Sequence, residues 1–196
     1  MDRRLHRSGA RLGAAPRSGE LAGSDVGGGV VAASRYVLFG RSHAEITLSE
    51  GGSRATVSER TEWHTAASKA VIRAGRHYAE FTMVSGSVVF FGVIRPGWDV
   101  EGGQGAEVVD GHCFYDTFDG RRFPGDHDWE GMQTAEDEDD RIGMLLDLDQ
   151  GSMTVWKNDV LLGVMVAEGL SGPLCWAVSL RWEGDSARIE SAAVPA

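Results

Sequence analysis

Two short segments hold the side chains best suited to recognition chemistry. Arg95-Pro96-Gly97-Trp98-Asp99 and Arg181-Trp182-Glu183-Gly184-Asp185 each set a guanidinium close to an indole, within Gly- and Asp-containing stretches that read as loops. An indole in a loop offers a large rigid face with one polar N–H, the composition that dominates interface hot spots. It can equally fold back and cap the end of a sheet, and residue type leaves both uses open. Arginine beside it can engage a carboxylate through its planar fork. Asp99 and Tyr115 are the candidate polar rim, so the candidate partner-binding set is Arg95, Trp98, Asp99, Tyr115, Arg181 and Trp182.

Signals for other chemistry are weak. Ser85 and Ser171 neighbour glycines, but neither lies in G-x-S-x-G, and neither a phosphate-binding G-x-x-x-x-G-K-[ST] nor H-E-x-x-H occurs. His112, Cys113, Asp126, His127 and Asp128 form the nearest approach to a metal cluster, without two close pairs at ligand spacing. The acidic run Glu136 to Asp140 reads as a solvated loop, and Asp147-Leu148-Asp149 lacks the alternating ligands of a calcium loop. No cofactor and no metal are expected, and the chain reads as a non-enzyme. A carboxylate pair facing a cleft would instead suit a glycan-binding or glycosidase-like sandwich, the alternative kept open.

The elements that must position these loops are short strands. From Arg141 to Leu180 the chain reads as four consecutive strands in an antiparallel meander, broken at Asp149-Gln150-Gly151, Lys157-Asn158-Asp159 and Glu168 to Pro173. In the first, Ile142, Met144, Leu146 and Leu148 alternate with Gly143, Leu145 and Asp147, which puts one face on a core. Upstream, Glu45–Ser49 and Arg54–Ser58 read as a hairpin. Arg76–Val84 is a long strand with Ala79, Phe81 and Met83 on one face, and Val88–Ile94 is apolar throughout, as if buried on both faces. His112–Thr117 is a further strand, and the only helical suggestion is one turn near Thr65 to Lys69. About a dozen short strands with regular turns predict an all-β protein, an antiparallel β-sandwich.

At this point the residues resemble a known family. R-I-G-M-L-L-D-L-D-x-G-x-M-x-V-W-K-N-D, followed by L-G-V, G-L-x-G-P-L and A-V-S-L, is similar to the signature of SPRY domains. Gly75-Arg76-His77-Tyr78-Ala79-Glu80-Phe81 resembles the family's G-R-H-Y-x-E strand, and Phe91-Gly92-Val93-Ile94 its F-x-G-V strand. Trp63 lies in a segment resembling the W-H-T-A element, where a structural role is expected. Trp176 stands where the family often has Pro. The resemblance covers roughly residues 35 to 190 and implies a concanavalin-like jelly-roll sandwich that binds a peptide or folded protein through loops at one end. The loops holding Trp98 and Trp182 would border that site. It also implies service as a recognition or scaffold subunit, for example in a ubiquitin ligase or chromatin complex.

Composition agrees with one folded domain and a tail. Residues 1–34 are rich in Arg, Gly, Ala and Ser with little apolar bulk, which predicts a disordered extension, and residues 35–196 form the sandwich. Arg3, Arg4, Arg7, Arg11 and Arg17 against Asp2 and Glu20 also resemble a transit peptide, though the amphipathic face is weak. The net charge of −10 is concentrated between Asp99 and Asp149, where 16 acidic residues face Arg121, Arg122 and Arg141. That argues against binding phosphate backbones, so no nucleic acid is expected. Two cysteines without C-x-x-C spacing suit a reducing compartment, cytoplasmic or nuclear. No apolar run reaches the ~18 residues of a membrane span.

Overall fold

The computed structural model describes residues 32–33, 37–59, 62–102, 104–135 and 137–196. Two sheets face each other. One has eight strands: β12 (Val160–Val166), β11 (Ser152–Lys157), β10 (Arg141–Asp147), β6 (Arg76–Ser85), β14 (Ser186–Glu190), β4 (Arg54–Val57) and β3 (Ile46–Ser49) in that order, with β1 (Ala32–Ala33) pairing in parallel with β6. The other runs β2 (Phe39–Ser42), β5 (His64–Ser68), β13 (Cys175–Leu180), β7 (Phe90–Ile94), β8 (Cys113–Asp116) and β9 (Arg122–Phe123). Apart from β1, every pairing is antiparallel, so the all-β sandwich stands. The expectation of a disordered tail falls outside the described residues except at Ala32–Ala33, which form β1.

Alternation explains how the sheets meet. Ala79, Met144 and Val155 lie side by side across β6, β10 and β11, and Ala66, Val178, Phe91 and Tyr115 form the matching row in the second sheet. All seven are buried in one core. Phe81 of the first sheet stacks on Phe91 of the second at 5.1 Å and meets Trp176 edge-on at 5.9 Å. Each large side chain so buried contributes about 1.5–3 kcal/mol relative to exposure. Trp176 is therefore a core residue with no exposed surface.

Two local expectations are corrected. The segment near Thr65 to Lys69 is not a helical turn: His64–Ser68 is strand β5, with every residue buried between β2 and β13. The four-strand meander is a meander of three. β10, β11 and β12 pair in sequence, but β13 crosses to the other sheet and pairs with β5 and β7. All six β13 residues are buried, a demand that only a central strand covered on both faces can meet.

The outer cover of β13 and β7 is the long loop 95–112. Trp98, Val100 and Ala106 pack there on Ala67, Phe90, Ile94, Phe114 and Ala177, forming a second small core. This accounts for the unbroken apolar run in β7. On the far side of the sandwich Tyr78, Leu145 and Trp156 are covered by Ala192 and Val194.

Candidate binding surface

The turn between β13 and β14 is held by a set of hydrogen bonds. Asp185 is buried, and its Oδ2 accepts hydrogen bonds from the backbone N–H of Trp182 at 2.7 Å and of Arg181 at 3.1 Å. Gly184 N–H donates to the Val57 carbonyl, Val57 N–H donates to the Asp185 carbonyl, and Ser85 Oγ donates to the Gly184 carbonyl at 2.6 Å. Two neighbouring strands, β4 and β6, thus fix one turn. Burial raises the Asp185 pKa, while the two N–H groups oppose the rise.

This scaffold presents an aromatic and cationic cluster. The Arg181 guanidinium carbon lies 4.7 Å from the Trp182 ring centroid and 5.7 Å from that of Trp63. Trp63 is braced edge-on by Phe90 at 4.7 Å. Arg181 makes no ion pair with a described residue, and its Nε is buried without a hydrogen-bond partner. Both Arg181 and Trp182 are half-buried, with Glu183 and Gly184 exposed beside them.

Beneath the arginine lies a polar group that sequence reading missed. Glu107, in the 3₁₀ turn Ala106–Val108, is buried and accepts a hydrogen bond from Ser179 Oγ at 3.1 Å. Burial pushes its pKa up, with Ser179 and Arg181 among the opposing influences. Thr65, paired with Ser179 across the sheet, keeps a buried Oγ1 without a partner. A glutamate in a long loop among many acids gives no sign of its burial. Only the fold of loop 95–112 over the sheet brings it here.

The other candidates stand elsewhere. Trp98 follows β7 and Trp182 follows β13, and because these strands are antiparallel, with Cys175 opposite Ile94 and Ser179 opposite Phe90, the two residues leave the sheet at opposite ends. Trp98 is half-buried on the second core, edge-on to His112 at 5.6 Å, and its carbonyl accepts from Arg41 at 3.1 Å. Arg95 donates to the carbonyl and hydroxyl of Ser171, which ties the loop before β13 to the loop after β7. Asp99 is exposed, and its Oδ1 accepts the Glu101 N–H in a local turn. Tyr115 is fully buried, and its hydroxyl donates to the Gln133 carbonyl, so it presents no surface for a rim.

Among the described residues no group of three His, Cys, Asp or Glu side chains is placed to hold a metal ion. Cys113 and Cys175 are free and buried. Asp147 and Asp149 share a cleft; Asp147 accepts the Asp149 and Gln150 N–H groups and pairs with Arg76 at 3.5 Å, and Asp149 accepts the Gly75 N–H at 3.0 Å. No described helix is long and apolar enough to cross a membrane.

No protein-family model matches the chain, and no curated protein sequence does. Solved structures match its fold. The SPRY domain of human HERC1 superposes with a TM-score of 0.61 at 15% identity, covering 74% of this chain and 92% of that one. Another human SPRY domain gives 0.57 at 17% identity, over 76% of this chain and 96% of that one. The TRIM65 PSpry domain gives 0.56 at 16%, over 79% and 89%. The fold is thus that of SPRY domains.

Proposed function

We propose that the chain is a non-enzymatic recognition module that binds a short peptide, or a protruding loop of a folded partner, at the end of the sandwich formed by Trp63, Arg181 and Trp182. One observation carries the reading: an arginine whose Nε has no hydrogen-bond partner is held against two indoles on a turn immobilised by Asp185. A partner carboxylate or amide would complete the arginine, and an adjoining apolar group would cover Trp182. Because the turn is fixed beforehand, little ordering entropy is lost on binding. A role as a recognition or scaffold subunit of a larger assembly, such as a ubiquitin ligase or chromatin complex, rests on the shared fold alone.

The test is a random-peptide selection on the full chain, with Trp182→Ala and Trp98→Phe run beside it and circular dichroism verifying the fold of each. Wild type and Trp98→Phe should enrich one motif, and Trp182→Ala should bind it about thirtyfold more weakly, the effect of a hot spot of about 2 kcal/mol. Equal enrichment by folded Trp182→Ala would remove this end of the sandwich as the binding site.

A further inference from the structure

At the opposite end, the mouth between the sheets opens into a cleft of about 250 Å³. Arg122, Phe123 and Pro124, from β9 and the turn after it, make one wall, and Val166, Glu168 and Leu170, from the end of β12 and its loop, make the other. The volume suits one amino-acid residue and lies just below the range of typical ligand pockets.

The charges of this cleft are not used by the fold. Arg122 is half-buried and forms no ion pair or side-chain hydrogen bond with a described residue, although the chain carries a net charge of −10. Its charge is felt by the Cys113 thiol in the same cleft, which burial nonetheless pushes up to about 12, so the thiol stays neutral and does not compete for the guanidinium. Glu168 is exposed at the rim and likewise unpaired among the described residues. His112, also in the lining, shares its Nδ1 proton with the Ala106 carbonyl at 2.9 Å and leaves Nε2 buried without a partner. The far wall is preset: Arg95 grips Ser171, and Leu170 N–H donates to the Gly151 carbonyl at 2.9 Å.

We propose that this cleft is a second ligand site, which takes an apolar residue bearing a free α-carboxylate, with Arg122 receiving the carboxylate, Phe123, Val166 and Leu170 the side chain, and Glu168 the nitrogen end. The ligand is a free amino acid or the last residue of a polypeptide, since both present the same carboxylate beside the same side chain. A cation and an anion lining one cleft with Phe123, Val166 and Leu170 match a residue with opposite polarity at its two ends. The site is separate from the Arg181 end and stands whether or not that end binds a peptide.

Leucine, N-acetylleucine and leucinamide, titrated into the full chain and followed by the amide NMR signals of Phe123, Gly169 and Leu170, test it. Leucine should shift these signals, leucinamide should not, and Arg122→Gln should weaken binding by about tenfold or more. Equal binding of both acids identifies a chain terminus as the source; binding of leucine alone, lost in Glu168→Gln, identifies a free amino acid. The proposal falls if leucinamide binds as well as leucine, if no probe shifts the signals, or if folded Arg122→Gln binds like wild type.

Discussion

Removing the carboxylate of Asp185 should loosen the turn that holds Arg181 and Trp182, by an amount that depends on what replaces it. Oδ2 accepts two backbone N–H groups, at 2.7 and 3.1 Å, from a residue only 3% exposed. Hydrogen bonds to a charged acceptor contribute about 1.5–3 kcal/mol each. Arg181 and Trp182 are half-buried, so water replaces part of what is lost, and Asp185→Ala should cost about 3 kcal/mol. Asp185→Asn retains a neutral oxygen in place and should cost about 1 kcal/mol at pH 7. A domain with the usual 5–15 kcal/mol would remain folded in either case.

The pH dependence sharpens the prediction. Burial raises the Asp185 pKa in the folded state, so the protonated acid is favoured there, and that contribution is complete below the unfolded value of about 3.9 and lost as pH rises through the folded pKa. Asn does not titrate. The advantage of wild type over Asp185→Asn should therefore be larger at pH 4 than at pH 8, with the other carboxylates cancelling in the difference. Urea unfolding at both pH values measures it. The reasoning fails if Asp185→Ala and Asp185→Asn cost the same, or if the gap widens with rising pH. The amide protons of Arg181 and Trp182 should move upfield in the alanine variant and stay near their places in the asparagine variant.

Two further substitutions probe the scaffold. Asp116 is buried near Asp119 and Asp126, its pKa pushed up to about 6 chiefly by burial, while its Oδ1 accepts the Phe118 N–H at 2.8 Å. Stability from this group is lost as pH rises from about 4 to about 6, so Asp116→Asn should gain on wild type across that window, by on the order of 2 kcal/mol at pH 7.5 in urea unfolding; a constant difference between pH 4 and pH 7.5 would contradict the assignment. Gly92→Ala would drive a methyl group into the Cys113 carbonyl and the Phe114 Cα of the neighbouring strand, where backbone cannot step aside. It should cost more than about 3 kcal/mol, and a thermal midpoint within a few degrees of wild type would show that β7 and β8 have room to separate.

The period-two pattern was enough to identify most strands and their inward faces. Ala79, Phe81 and Met83, or Ile142, Met144 and Leu146, can satisfy one apolar face only as strands, and the Gly, Asn and Asp turns between them are local chemistry. The apolar run ending in Ile94 likewise announced burial on both faces. Arg181 and Trp182 were adjacent in the sequence, and the structure adds Trp63, for which a structural role was expected, to one cluster with them.

Partnership over distance was a different matter. Whether β13 continues the meander or crosses to the other sheet depends on which neighbours can cover both of its faces, information spread over β5, β7 and loop 95–112. Trp98 and Trp182 look alike in sequence, each within three residues of an arginine and a glycine, yet antiparallel pairing of β7 and β13 sends them to opposite ends. Tyr115 alternates correctly for a strand, but only the packed second sheet decides that it faces inward. The burial of Glu107 under Arg181 and the unpaired Arg122 facing Glu168 belong to the same class. A side chain's type and spacing are local properties, whereas its burial and its partners are set by segments tens of residues away, and those exist only once the chain has folded.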